Sequence, residues 1–346
     1  MSDEAEILFE QRGVVGLVTL NRPKVLNALT YNMVKQLHPQ LERWADDDRV
    51  KLVVVRAAGE KAFCAGGDIR ALHDWGKAGS PEVINFYRDE YRLNRYIKRY
   101  PKPYVALMNG INMGGGVGIS VHGSHRIASE RLLFAMPETG IGLFPDVGGT
   151  YFLPRCPGET GMYLGLTGAR LKAADAIYAG IADHCVPAER HDALLERLAA
   201  GEGIDQAIAA EADKPGDAPL KQRAGEIDRI FSAESVEAIL EKLDASDDEW
   251  AAETAATIRS KSPLSTRVAY AQIRLGASLD FEECMALEFR LTNRFMRGHD
   301  FYEGVRAVVI DKDQKPAWEP AALDGVTQEM VDGYFASLGD DELIFD

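Results

Sequence analysis

The sequence predicts an α/β fold that ends in a mainly helical region. Short apolar runs suited to buried strands alternate with amphipathic helical stretches over the first 200 residues. These 200 residues also contain 22 of the 32 glycines, whereas the chain after Leu194 is rich in Ala and Glu. We therefore expect an α/β part at residues 1–200 and a mainly helical part at residues 201–346.

The first elements are two predicted strands and a helix. Glu6–Gln11 and Val14–Leu20 form the strands, and Thr30 can accept a hydrogen bond from the first turn of a helix that runs to about Ala45. The apolar residues of this helix share one face: Met33, Val34, Leu37, Leu41 and Trp44. The continuous apolar run Lys51–Arg56 predicts a buried strand.

Further elements follow the same alternation. A long helical stretch follows Pro81, and the strand Tyr104–Met108 comes after it. Helical patterns cover Val236–Leu243 and Ser262–Leu275 in the second part of the chain.

Charge excludes some classes of partner. The formal charge is −15, with 54 acidic against 39 basic residues, which disfavours general nucleic-acid binding because phosphate contacts need clustered Lys and Arg. Residues 201–260 hold 15 acidic and 6 basic residues, so most of the excess belongs to one segment, which we interpret as a solvated helical face. No apolar run is long enough for a membrane span.

The cysteines and the first ten residues indicate the cellular compartment to expect. The four cysteines are widely separated, and residues 1–10 are acidic and lack the features of a signal or transit peptide. From this pattern we expect a reduced, cytoplasmic protein.

Three glycine clusters, at residues 65–68, 113–118 and 146–149, are the most informative motifs. Glycines often serve only tight turns, but backbone amides at the second cluster could form a phosphate cradle or an oxyanion hole. Neither GxGxxG nor GxxxxGK[ST] fits, and the serine-elbow pattern fails because His122 stands where it needs glycine. His122 and His125 lack a nearby acidic or Cys ligand, so no metal site is expected.

Two carboxylates stand beside these clusters. Glu138 and Asp146 lie among apolar and glycine residues rather than in a charged run. A carboxylate in such surroundings has a raised pKa or a dedicated partner, and either suits acid–base or nucleophilic chemistry. The alternative is that Glu138 only serves the first turn of a helix after Pro137.

At these residues the sequence resembles the crotonase (enoyl-CoA hydratase/isomerase) superfamily. The matching segments span residues 14–185: Asn21-Arg22-Pro23, Asn27-Ala28-Leu29, residues 62–69, Gly114-Gly115-Gly116, Met136-Pro137-Glu138 and Gly148-Gly149-Thr150. Within the superfamily, residues 113–155 and 300–320 look like its hydrolases of 3-hydroxyacyl-CoA thioesters. The resemblance implies a crotonase-like spiral of ββα units, forming a catalytic core in the first 200 residues, with a C-terminal helical region.

The resemblance also implies roles for particular residues. The amides of Gly67 and Gly115 would bind the thioester oxygen, and Glu138 would attack the thioester carbonyl or activate water. Asp146 would hydrogen-bond the 3-hydroxyl of the substrate and help protonate the thiolate, and Glu90 would contact the same hydroxyacyl group. Gly118 stands where the hydratases of the superfamily carry a first glutamate, which disfavours hydration.

The expected reaction is hydrolysis of a short 3-hydroxyacyl-CoA, with 3-hydroxyisobutyryl-CoA as substrate and valine breakdown as the implied pathway. An enoyl-CoA isomerase or hydratase, or a non-catalytic acyl-CoA-binding protein, remains open as an alternative. Arg22 and Lys24 are candidates for holding the anionic CoA moiety, against the plain alternative of solvated surface cations. No cofactor is expected because CoA is part of the substrate, and a homo-oligomer remains open.

Overall fold

The computed structural model describes residues 5–345, which fall into two compact units. The described part of the first unit comprises residues 5–68, 92–135 and 170–221, and that of the second comprises residues 69–91, 136–169 and 222–345. Each unit is built from three separate segments of the chain, so this division does not test the expected boundary at residue 200. That boundary stays a prediction.

The strands and helices follow one another as the sequence rhythm predicts. The strands are β1 (Ile7–Arg12), β2 (Val15–Leu20), β3 (Leu52–Ala57), β4 (Ala62–Cys64), β5 (Tyr104–Met108), β6 (Ile111–Met113), β7 (His125–Ala128), β8 (Leu133–Ala135) and β9 (His184–Cys185). The α-helices are α1 (Tyr31–Asp46), α2 (Ile69–Lys77), α3 (Glu82–Lys98), α4 (Gly115–Gly118), α5 (Gly149–Phe152), α6 (Thr160–Thr167), α7 (Ala173–Tyr178), α8 (His191–Ala199), α9 (Ile204–Glu211), α10 (Pro219–Gln222), α11 (Ala224–Phe231), α12 (Val236–Asp244), α13 (Glu249–Ser260), α14 (Pro263–Gly276), α15 (Phe281–Phe295), α16 (Asp300–Val305) and α17 (Gln328–Phe335).

Both sheets belong to the first unit. The larger sheet has the order β1-β2-β3-β5-β7-β9, in which only the β1–β2 pair is antiparallel. The smaller sheet, β4-β6-β8, is parallel throughout. The apolar runs read from the sequence therefore become buried parallel strands, whose side chains are covered on both faces.

The core of the first unit lies between the larger sheet and helices α8 and α9. It is built mainly from aliphatic side chains of β2, β3, β5 and α8, including Leu17, Val54, Val105 and Leu195. On α1, Thr30 caps the helix by accepting a hydrogen bond from the Met33 amide at 3.1 Å. The five apolar residues predicted to share one face of α1 are all buried.

The second unit is helical. Helix α14 begins after Ser262, whose hydroxyl accepts from the Ser265 amide, and it packs on α5 and α6. Helix α16 lies against the 3₁₀ turn Glu138–Ile141, and a Cβ added to Gly304 would lie 2.4 Å from the carbonyl carbon of Ile141. This close approach requires glycine on α16 and fixes the turn that carries Glu138.

The sequence-based fold class is confirmed, with strand and helix ends displaced by at most one residue from the expected ones. Among residues 5–345, no helix combines the length and the apolar character needed to cross a bilayer.

Candidate active site

Two glycine turns of the first unit lie side by side. They follow β4 and β6, which pair in parallel and so end at the same edge of the small sheet. A Cβ built on Gly66 would lie 3.7 Å from the carbonyl oxygen of Met113, and one on Gly116 would lie 2.4 Å from that of Cys64. A side chain at Gly116 would thus force the backbone segments apart.

The amides of Gly67 and Gly115 belong to these two turns. The backbone groups on either side of Gly67 are bonded to Leu29. The Leu29 amide donates to the Gly66 carbonyl, and the Leu29 carbonyl accepts from the Asp68 amide, each at 2.8 Å. Within residues 5–345, neither the Gly67 amide nor the Gly115 amide donates to an acceptor. Two such amides can stabilise negative charge on an external oxygen atom.

Glu138 opens the 3₁₀ turn in the second unit and is buried. Its place in a first turn matches the capping alternative, yet its Oε2 atom has no hydrogen-bond partner in the described chain. Burial raises the pKa of Glu138 well above its ordinary range, and the charges of Asp146 and Glu288 add to this effect. Such a carboxyl is a strong base whenever it is ionised.

Asp146 is buried and held by a tyrosine. The hydroxyl of Tyr91 donates to Asp146 Oδ2 at 3.0 Å and lies 2.7 Å from the hydroxyl of Thr292. Burial raises the pKa of Asp146 to about 7, although the hydrogen bond from Tyr91 opposes this shift. At neutral pH this carboxyl can therefore either give or take a proton.

The backbone at Asp146 is fixed from both directions. Gln272 of α14 donates to the carbonyl oxygen of Pro145 at 2.5 Å. Val147 has φ of 49°, a conformation that a β-branched residue adopts only under strain. Strain of this kind persists where the surrounding structure enforces it, and it clusters at functional sites.

Glu90 and Tyr87 lie on one face of α3. Both side chains are buried, and neither Glu90 Oε1 nor the Tyr87 hydroxyl has a hydrogen-bond partner among residues 5–345. Burial raises the pKa of Glu90 well above its ordinary range, with further contributions from Asp146 and Glu288.

Glu288 of α15 is a member of the site that the sequence analysis missed. Its carboxylate accepts from the Gly148 amide at 2.8 Å and from the Thr150 amide at 2.9 Å. Burial raises the pKa of Glu288 to about 8, and the charge of Asp146 adds to this effect. It therefore holds the third glycine cluster from a helix that follows it by about 140 residues.

A signal for Glu288 was present in the sequence. It stands three and four residues after Met285 and Cys284, which are both buried, so helical spacing places a carboxylate on the apolar face of α15. An acidic residue at such a position needs a dedicated partner. We refer to Glu90, Glu138, Asp146 and Glu288 as the carboxyl cluster.

The predicted glycines and the carboxyl cluster, three of whose four members were predicted, belong to different units. Gly67 and Gly115 belong to the first unit, and the carboxyl cluster belongs to the second. Gly118 lies in α4 of the first unit.

The two cations proposed for CoA differ in their surroundings. The guanidinium of Arg22 donates to the Ala28 carbonyl at 2.6 Å and pairs with Asp68 and Glu6, each at 3.2 Å. Lys24 is exposed. A CoA phosphate at Arg22 would compete with these ion pairs, so binding by Arg22 and Lys24 stays a prediction.

Comparison with known proteins gives near full-length matches. A sequence model described as enoyl-CoA hydratase/isomerase matches residues 15–335. The 3-hydroxyisobutyryl-CoA hydrolase, mitochondrial, of Danio rerio is 49% identical over 99% of this chain and 93% of that protein, and its Homo sapiens counterpart is 47% identical over 98% and 91%. The crystal structure of a carnitinyl-CoA dehydratase from Mycobacterium thermoresistibile has a TM-score of 0.95 and 42% identity, and it covers 99% of both chains.

These relatives correct one expectation. The chain was expected to be cytoplasmic, but the curated relatives are named as mitochondrial proteins. That expectation rested on the composition of the first ten residues and on the wide separation of the cysteines, and neither observation assigns a protein to one compartment.

Proposed function

The chain belongs to the enoyl-CoA hydratase/isomerase family, and we propose that it hydrolyses the thioester of a short 3-hydroxyacyl-CoA. The observation that carries the proposal is its identity of 46–49% over nearly the whole chain to relatives named 3-hydroxyisobutyryl-CoA hydrolase. The preferred substrate is then 3-hydroxyisobutyryl-CoA, and the products are 3-hydroxyisobutyrate and CoA, as in valine breakdown. CoA arrives with the substrate, so the reaction uses no resident cofactor.

Glu138 is the proposed nucleophile. Its ionised carboxylate attacks the thioester carbonyl, the carbon–sulfur bond breaks, and a mixed anhydride is left on Glu138. Water then opens the anhydride, releases the hydroxy acid and restores the carboxylate. The unpartnered Oε2 atom supports this role, because no hydrogen bond within the described chain has to break before attack. Direct activation of water by Glu138 is the alternative route to the same products.

Asp146 is the proposed proton donor to the departing thiolate. Its pKa of about 7 supports this role, because a substantial fraction of the carboxyl is protonated at neutral pH. Asp146 regains the proton when water opens the anhydride, so the net reaction consumes only water. The proposed contact of Asp146 with the 3-hydroxyl of the substrate is compatible with its hydrogen bond from Tyr91, which occupies Oδ2.

The amides of Gly67 and Gly115 are the proposed oxyanion donors. Their lack of an internal acceptor within residues 5–345 supports this role. A donor directed at a developing oxyanion contributes about 3 kcal/mol to lowering the barrier.

The test compares three thioesters. Purified protein is mixed with 3-hydroxyisobutyryl-CoA, 3-hydroxypropionyl-CoA or crotonyl-CoA, and free thiol and enoyl absorbance are followed together. We expect thiol release from the two hydroxyacyl substrates, and a loss of at least about 1,000-fold in kcat for Glu138→Gln, because an amide cannot act as the nucleophile. The exposed Glu241→Gln serves as the matched control. Near-normal hydrolysis by Glu138→Gln would rule out the mechanism.

A hydratase or dehydratase is the second candidate, favoured by the structural similarity to the carnitinyl-CoA dehydratase. Gly118 argues against it, since the two-carboxylate addition of water needs a glutamate at that position. Loss of enoyl absorbance without thiol release would support this candidate. Absence of both signals would support a non-catalytic acyl-CoA-binding protein.

A further inference from the structure

Six buried side-chain polar atoms of the second unit lack a hydrogen-bond partner within residues 5–345. Three of them belong to ionisable side chains: the hydroxyl of Tyr87, Oε1 of Glu90 and Oε2 of Glu138. Buried polar groups are almost always paired, because an unpaired one forfeits its hydrogen bonds to water and gains nothing in return. The charges of Glu90 and Glu138 both act on the Tyr87 phenol, so the three groups form one electrostatic neighbourhood. Such a set of atoms is suited to a ligand that supplies the missing partners.

Tyr87 and Glu90 are oriented together by α3. They are three residues apart, a spacing that brings side chains together on one helix face. The ring of Tyr87 is fixed edge-on by Phe86, at a centroid distance of 5.4 Å, and by Tyr91, at 5.9 Å. Its hydroxyl therefore has a defined direction without a hydrogen bond to hold it.

Tyr91 is a neighbouring buried tyrosine whose hydroxyl is paired. One helical turn after Tyr87, its hydroxyl is paired with both Asp146 and Thr292. Tyr87 and Tyr91 are both buried, and the charge of Asp146 acts on both. They differ because, inside the described chain, only the hydroxyl of Tyr91 has a hydrogen-bond partner. The phenol of Tyr87 also stays protonated, because burial raises its pKa well above its ordinary value.

We infer that Tyr87 is a specificity-determining residue that binds the 3-hydroxyl group of the acyl chain together with Glu90. The inference rests on the proposed function. The phenol of Tyr87 donates to the hydroxyl oxygen of the substrate, and that hydroxyl donates to Oε1 of Glu90. One hydroxyl group, being both donor and acceptor, pairs both of these unpartnered atoms. An acyl group without the hydroxyl leaves both unpaired, and sites of this kind discriminate strongly against such analogues.

The test is the substrate preference of Tyr87→Phe. We compare kcat/KM for 3-hydroxyisobutyryl-CoA with that for isobutyryl-CoA, which lacks the hydroxyl; if its turnover is too slow, an inhibition constant replaces it. The variant should lose about tenfold in its preference for the hydroxyacyl substrate, which is the value of one neutral hydrogen bond. Its melting temperature should be unchanged or higher, because no internal hydrogen bond is removed.

A matched variant gives the opposite pattern. Tyr270 lies in the same unit, and its hydroxyl donates to the Ala233 carbonyl at 2.7 Å. Tyr270→Phe should lower the melting temperature and leave the substrate preference unchanged. Should Tyr87→Phe fail to fold, Glu90→Met tests the same pair, since it removes the acceptor Oε1 at a similar side-chain length and should also reduce the preference.

Failure of the two proposals can be told apart. If the wild-type protein releases no thiol from either substrate, the proposed function is wrong. If it hydrolyses 3-hydroxyisobutyryl-CoA but Tyr87→Phe changes both substrates equally or neither, then Tyr87 is only a core tyrosine and the inference is overturned.

Discussion

Replacing Asp146 by asparagine should stabilise the protein while it lowers activity. The carboxyl is buried, and burial raises its pKa from an ordinary value of 3.8 to about 7. Below pH 3.8 the group is protonated in both the folded and the unfolded chain. As the pH rises, the unfolded chain ionises first, so the free energy of unfolding falls until the folded carboxyl also ionises near pH 7. Asparagine has the same shape and does not titrate.

The size of the effect follows from the two pKa values. They differ by about three pH units, which at about 1.4 kcal/mol per unit corresponds to about 4 kcal/mol at pH 8. By the same relation, the variant is more stable than the wild type by about 2 kcal/mol at pH 5 and by under about 1 kcal/mol at pH 4. The asparagine carbonyl can still accept from Tyr91, so the hydrogen bond at 3.0 Å does not offset the gain.

Denaturant unfolding at pH 5 and pH 8 measures this gain, and thiol release measures activity. We expect the advantage of Asp146→Asn to grow from pH 5 to pH 8, with kcat reduced about 100-fold to 10,000-fold through loss of the proton donor. Asp247→Asn, at an exposed position of the same unit, controls for loss of one negative charge. A variant no more stable than the wild type at pH 8 would refute the reasoning, as would an advantage independent of pH.

Two further outcomes follow from the same contacts. The pH profile of kcat/KM should be bell-shaped, because the reaction needs one ionised and one protonated carboxyl group, and its acid limb should lie above the ordinary glutamate range, because burial raises the pKa of both Glu138 and Asp146. Steady-state assays from pH 4 to 9 check this, and an acid limb at or below the ordinary glutamate value of 4.5 would contradict it. Gly16→Ala should cost about 1–3 kcal/mol of stability, because a Cβ would lie 2.7 Å from the ring of Trp44; thermal unfolding measures it, and an unchanged melting temperature would show that the ring can move away.

Individual helices could be predicted from the sequence, whereas contacts between distant residues could not. Helix α1 was predictable because its cap at Thr30 and its apolar face are local patterns, and both are observed. Glu138 and Asp146 were recognisable because a carboxylate among apolar and glycine residues is unusual in sequence. The bond between Tyr91 and Asp146 joins residues 55 positions apart, and no local pattern marks it.

The sequence by itself determined the alternation of strands and helices, because this depends on the periodicity of near neighbours. Its resemblance to a known family pointed to the carboxylates and glycines that carry the proposed chemistry. Only the tertiary structure decided which of these groups are paired. It joined Glu288 to the amides of Gly148 and Thr150 and left the Tyr87 hydroxyl without a partner in the described chain. Burial and hydrogen bonding depend on segments brought together from distant parts of the chain, and they set the protonation of the carboxyl cluster.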